Sequence, residues 1–431
     1  MKGNFQIVVV VIFFILAIFG VLVFSGAIPI GEKNEPGGLG TVTIWGTERS
    51  GLVNPLLEEF NKINTSFVVK YEEKSVSSFD KDLLEALSES RGPDLLFLPD
   101  NLAFHYINKL FSIPYASYPL ASFRENFAGA GEVFLTSAGV LAFPLTIDPL
   151  IMYYNRTTLD ANGIVSPPTY WEELVELVPK LTKKDETNKI SKSAVAMGQF
   201  SNVNNAKDIL ATLFMQTGNK IVESKGGIFR STLNNSNSRY DLAPALQFFT
   251  DFVDPSSKQY SWNRSFRSST ESFSAEDLAF YFGFGSELGS FINKNPNQNF
   301  AVATFPQVKE NTLKSTGARV TGVAVLASSK NFNTALTTAG LLATTDFASK
   351  FANALGVVPA RRDLLKIKPT EDLYLPTLYN SAIFAKSWLD PSPNDTYDIF
   401  NRMVEGVLSN ILTEDQAILE ADSRLNSLLI K

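Results

Sequence analysis

The order of apolar and polar positions changes period repeatedly along the body of the chain. Thr41-Val-Thr-Ile-Trp45 alternates and is rich in β-branched residues, which predicts a strand. A polar loop, Gly46 to Gly51, follows, and Asn54-Pro55 reads as a helix start with proline at the first helical position. Leu56, Leu57, Phe60 and Ile63 then repeat at helical spacing. Phe67 to Lys70 predicts a second strand, and Phe79, Leu83, Ala86 and Leu87 mark a second helix. The turn Gly92-Pro-Asp94 leads into Leu95-Leu-Phe-Leu98, a short continuous apolar run of the kind buried in parallel sheets. This alternation of strands and helices predicts an α/β unit with a largely parallel sheet. Ligands on such sheets gather at the carboxyl ends of the strands. Those ends carry Trp45 with Glu48 and Arg49, and Asp100 with Asn101.

Gly139 to Arg156 reads as two apolar strand-like runs with Pro144, Asp148 and Pro149 between them. Proline donates no ladder hydrogen bond, so strand interiors seldom hold an acid flanked by prolines. Two readings follow. The chain leaves one sheet, crosses a gap and enters another, with Asp148 exposed in the gap; or this is an ordinary strand–turn–strand with a solvated aspartate.

Further on, Thr169 and Glu172 form a capping box ahead of a helix with Leu174, Val175, Val178 and Leu181 on one face. Lys183 to Ser193 reads as a polar loop and Ala194 to Gly198 as a strand. The polar run Ser201 to Asn205 precedes an apolar helix, Ile209 to Met215. Leu246 to Val253 is helical, Phe300 to Pro306 and Thr321 to Leu326 are strands, and Leu341 to Leu355 is a helix. Thr413 and Gln416 form a second capping box, opening a helix with Ala417, Ile418, Ala421, Leu425 and Leu428.

The amino-terminal end is different. Phe5 to Phe24 is apolar apart from Gln6 and spans about 30 Å as a helix, the thickness of a bilayer's hydrocarbon core. Lys2 precedes it, which predicts a cytoplasmic amino terminus and an exported body. The alternative is a signal peptide cleaved near Ser25-Gly-Ala27; its apolar region would be longer than such peptides usually carry. Ser25 to Gly40 is rich in glycine and proline and reads as a flexible tether.

Composition narrows the chemistry. The 431-residue chain has no cysteine, which removes disulfides, thiolate nucleophiles, cysteine metal sites and a lipidated-cysteine anchor. Its one histidine, His105, leaves no multi-histidine metal site. A net charge of -6 argues against nucleic acid as a partner. Gly283-Phe-Gly285 is not a nucleotide fingerprint, because the next glycine falls one position late and follows a late strand. Ser286 lacks the flanking glycines of a nucleophile elbow. A hydrolase working with two carboxylates survives these filters.

Phe143-Pro144, Asp148 and Tyr153-Tyr-Asn-Arg156 resemble the first inter-lobe crossing of the extracellular solute-binding proteins of ABC importers, in the carbohydrate-binding group that includes maltose-binding protein. Thr43-Ile-Trp45, Gly92-Pro-Asp94, Pro167-Pro-x-x-Trp-Glu-Glu-Leu174, Gly356-Val-Val-Pro-Ala-Arg361 and the closing amphipathic helix resemble the same family in the same order, over about 41–431. The resemblance implies a two-lobed type II periplasmic-binding-protein fold with a three-strand hinge, after one amino-terminal transmembrane helix. It places one lobe at 41–147 plus 283–328 and the other at 149–280 plus 331–431, with crossings near Asp148, at Glu276 to Ser286 and at Ser328 to Asn331.

It also implies a binding site made of Glu48, Arg49, Asp100, Asn101 and Asp148, joined by Trp45 at the end of the first strand, by Asn204 and Asn205, and by Tyr397 where sugar binders carry an aromatic. Ser286 stands where an aromatic is common, a departure that Phe284 nearby could offset. The implied function is non-enzymatic capture of a solute, a sugar or oligosaccharide, for the permease subunits of an importer, with no cofactor. The alternatives are a membrane-tethered sensor with the same fold and, third, a glycosidase using Asp148 with Glu48 or Asp100.

Overall fold

The computed structural model describes residues 38–186, 189–234, 241–309 and 313–430. Among them no helix is long and apolar enough to cross a membrane. The expected span 5–24, and the tether up to residue 37, lie outside the described residues.

Strand β1 (Thr41–Gly46) feeds helix α1 (Ser50–Ile63), β2 (Val68–Glu73), α2 (Phe79–Ser88), β3 (Leu95–Pro99) and α3 (Asp100–Tyr106). β1 lies between β2 and β3 and pairs parallel with both. The first helix begins earlier than Asn54-Pro55 predicts. The Glu73 carboxylate accepts the Ser50 N–H at 2.7 Å and places negative charge at the helix start. Pro55 falls inside the helix. The carbonyl its missing N–H would have met belongs to exposed Gly51, so little is lost.

The stretch expected as two runs is one strand, β4 (Ala142–Asn155), buried through nearly its whole length. Its first half pairs antiparallel with β10 (Thr316–Val325), and its second half lies between β8 (Leu278–Phe284) and β9 (Phe300–Thr304). The prolines are tolerated because the ladder is interrupted where they stand. Pairing with β10 slips between Thr321 and Gly322, opposite Pro144. Pro149 sits where the other edge of β4 changes partner, from Val358–Pro359 to β8. Asp148 is therefore buried within a strand, and neither a solvated turn nor a gap surrounds it.

Strand pairing also corrects the lobe boundaries. β8, a short helix (Leu288–Lys294) and β9 all stay beside residues 150–155, so there is no crossing at Glu276 to Ser286. The chain returns along β10, whose start bonds Leu150 and pairs with Ala385–Lys386 and whose end pairs with β3. Ser329 and Asn331 bond Asp94 and the Thr41 carbonyl within the first lobe, so the crossing expected at 328–331 is absent. The helices Phe332–Leu342 and Thr345–Leu355 cover the first sheet with α1: Ala335, Ala339, Leu342, Phe347 and Phe351 share a core with Ile44, Leu57 and Phe97. They belong to the first lobe, and the chain passes over for the third time only after Val358–Pro359. Helices Pro393–Leu408 and Glu414–Leu429 pack on the second lobe, the latter opened by the expected Thr413–Gln416 box. In the 171–181 helix the cap is one residue later than expected, since Glu173, not Glu172, accepts the Thr169 and Tyr170 N–H groups.

Candidate functional site

A cleft of about 190 Å³ lies where α3, the helix Ala206–Gln216, the start of β10 and the segment 386–390 meet. Its walls come from both lobes, and its position follows from the two long strands. Asp148 and Arg319 face one another as partners across β4 and β10 at the point where both strands pass between lobes. Arg319 is the only charged residue of its strand. Its guanidinium lies over the Phe284 ring, 3.7 Å from the centroid. It reaches the Asp208 carboxylate at 3.6 Å and the Asn205 amide oxygen at 3.4 Å.

Two carboxylates flank this cation. Asp148 accepts the Ser286 N–H at 2.9 Å. The approach needs Gly285, because a Cβ there would stand 3.2 Å from the Asp148 carboxylate and 2.6 Å from Leu378. Asp100, at the end of β3, accepts the Ser387 hydroxyl and, at 3.0 Å, the Asn101 N–H. Burial pushes each carboxyl up to about 6, against the opposing pull of those hydrogen bonds and of Arg319. Asn205 donates to Tyr281 and Glu287 at 3.1 and 2.8 Å, in a left-handed backbone conformation that starts the 206–216 helix. Lys207, the second residue of that helix, forms a buried ion pair with Asp390 at 2.7 Å. Trp388 is half-buried, lines the cleft and stacks on Phe400.

The expected site residues divide. Asp100 and Asn101 line the cleft, while Asp148, Asn205, Phe284 and Ser286 gather around Arg319 behind it. The remaining five do not join them. Glu48 folds back into its own lobe, where Tyr71 donates to its carbonyl at 2.7 Å and Thr47 to its carboxylate at 3.1 Å; burial raises its pKa. Arg49 is exposed at the cap of α1. Asn204 turns away to accept from Ser269 and Thr270, holding the start of a short helix. Tyr397 packs edge-on against Phe200 and donates to the Phe200 carbonyl at 3.2 Å. Trp45 is buried against α2 with Lys74 over its ring, beside a separate cavity of about 410 Å³ formed by the first lobe alone.

Arg319, Lys207, Asp208, Ser387, Trp388 and Asp390 were not singled out by sequence reasoning. A charge alone in an apolar strand was a legible signal for Arg319. Trp388 and Asp390 lie in a segment without periodicity, so nothing local marked them.

The sequence profile of the family described as bacterial extracellular solute-binding protein matches residues 45–356. No curated protein sequence matches the chain. Among solved structures, a cyclo/maltodextrin-binding protein complexed with maltotetraose superposes with a TM-score of 0.72 at 15% identity, covering 92% of this chain and 98% of that one. The sugar-binding protein MalE of Xanthomonas citri gives 0.73 at 17% identity, covering 90% and 97%. An ABC transporter solute-binding protein of Thermotoga lettingae bound with α-D-tagatose gives 0.66 at 19%, covering 90% and 100%.

Proposed function

The chain belongs to the bacterial extracellular solute-binding proteins, and we propose on that premise that it captures a carbohydrate between its lobes and hands it to an ABC importer. The observation that carries this reading is the cleft itself. It has walls from both lobes, it is lined by the start of β10 with β4 behind, and it presents amide, carboxylate and guanidinium groups beside one half-buried indole, Trp388. Side-chain amides and acids accept from and donate to sugar hydroxyls, and an indole face covers the apolar side of a sugar ring. A solute that touches both walls binds the closed arrangement better than an open one and shifts the population toward it. A hydrogen bond to a charged group is worth about 1.5–3 kcal/mol net, so a few of them supply micromolar binding.

The apolar segment Phe5 to Phe24 acts in this reading as a membrane anchor that keeps the binding body at the outer surface, in place of a lipid. The test is a thermal-shift screen of the full chain in mild detergent against mono- and oligosaccharides, with peptides and polyamines as controls. Ligand at about 100 times its dissociation constant should stabilise the fold by about 2.7 kcal/mol. A shift with a peptide or polyamine and none with any sugar would remove the carbohydrate and keep the receptor.

A further inference from the structure

We infer that the captured solute is an acidic sugar, whose carboxylate or other oxyanion is held by Arg319 with Lys386; this rests on the carbohydrate reading above. Charges around the cleft differ in the hydrogen-bonding capacity they still have to offer. Three bases line it, Lys207, Arg319 and Lys386, and three acids, Asp100, Asp208 and Asp390. Lys207 and Asp390 cancel one another. They are joined at 2.7 Å, and Asp390 also accepts from Thr396 and from the Ser392 N–H. Asp100 is committed to Ser387 and to the Asn101 N–H. Asp148, behind the lining, is committed to the Ser286 N–H.

The two remaining bases are different. The Lys386 side chain is exposed, and its ammonium makes no hydrogen bond or ion pair among the described residues. Arg319 has five N–H donors. Its contacts are one amide oxygen at 3.4 Å, one carboxylate at 3.6 Å and the Phe284 face, all through Nη2 or the ring plane. It forms no ion pair with Asp148 or Asp100. The Nε and Nη1 donors have no partner among the described residues, in a half-exposed guanidinium that lies over the Phe284 ring. A planar fork of free N–H groups fits the two oxygens of a carboxylate, or two oxygens of a phosphate, as a bidentate pair. Asp208 is the one loosely held acid nearby, and such a ligand would displace it from Arg319. Neutral hydroxyls would leave Lys386 without an anionic partner and the free donors of Arg319 without a bidentate one.

The experiment is calorimetric titration of the full chain with glucuronate and galacturonate and their short oligomers, with glucose 6-phosphate, and with glucose, galactose and maltotriose as neutral counterparts. Acidic sugars should bind at least about tenfold tighter than neutral ones, and the preference should weaken with added salt. Arg319→Met should abolish the preference, and Arg319→Lys should keep part of it, because charge survives without the fork. Unchanged melting temperatures would show that both variants fold. A uronate preference over the phosphate names the carboxylate as the oxyanion, and the reverse names the phosphate. Equal binding of neutral and acidic sugars, or a preference untouched by Arg319→Met, overturns this inference and leaves carbohydrate capture standing. Failure of every sugar to bind overturns both.

Discussion

Two cavities in this protein are lined by tryptophan and by charge of both signs, and only one has the makings of a receptor site. The larger, about 410 Å³ beside Trp45, is built within one lobe from β1, β2, α2 and the turn at Gly92–Pro93. The smaller, about 190 Å³ beside Trp388, has walls from both. In the first, Lys74 already covers the indole at 3.6 Å and bonds Glu72. In the second, Arg319 holds long contacts with spare donors. The difference lies in what can move. Walls in one packed unit cannot close on a solute, whereas walls joined by two strands can, so volume is a poor guide to function here.

The contrast can be broken most forcefully through charge and indole. Lys207→Met leaves Asp390 buried without its cation and should cost about 3–5 kcal/mol of stability. Adding Asp390→Leu should recover most of that loss, as read from urea midpoints. Trp45→Ala should cost a similar amount, about 3–5 kcal/mol, and leave the solute affinity of the folded protein unchanged. A fall in affinity would make the Trp45 cavity part of the site.

The Asp148 carboxyl rises from 3.8 unfolded to about 6 folded. The folded state thus binds this proton more tightly, so stability falls as pH climbs through that window and is flat above it. About two units correspond to up to about 3 kcal/mol. Asp148→Asn keeps an oxygen for the Ser286 N–H. It should raise stability at pH 7.5, have no effect at pH 3.5, and flatten the slope between, as followed by urea unfolding across pH. A slope unchanged in the variant would show that another group carries it.

Trp388→Ala should weaken solute binding about ten- to hundredfold, equivalent to about 1.4–2.8 kcal/mol, with a small change in melting temperature because the side chain is only half-buried. The smallest effect expected is at the hairpin of Val222–Lys225 and Ile228–Ser231. Phe229 meets Phe104 of the first lobe edge-on, with ring centroids 5.2 Å apart. Phe229→Ala should remove about 0.5–1.5 kcal/mol of inter-lobe contact. It should weaken binding a few-fold and enlarge the radius of gyration in solution scattering. No change in either would make the contact incidental.

Legibility in the sequence followed the range of the interactions. Alternation in Thr41–Trp45, the apolar run Leu95–Leu98 and the Thr413–Gln416 box are local, and the structure contains each of them. Asp100 and Asn101, at the end of a strand, line the cleft, and Asp148, Asn205, Phe284 and Ser286 gather behind it, although the last two were expected at a crossing that the strand pairing does not contain. Glu48, Asn204 and Tyr397 stand in similar places, but partners elsewhere in the chain hold their polar groups: Tyr71, Ser269 and Phe200. A polar side chain in a loop has the same local signature whether it faces a cleft or closes a turn.

The sequence by itself determined the alternating α/β elements, the family and the acids at the strand ends, because periodicity and short motifs are properties of neighbouring residues. Only the tertiary structure decided where the chain passes between lobes and which charges meet. β4 carries two prolines because it bulges at Leu145 beside one and the sheet changes partner at the other. Arg319 reaches Asp208 and Phe284 because three segments far apart in sequence converge on one point. Such meetings depend on strand register and lobe packing, which no local pattern encodes.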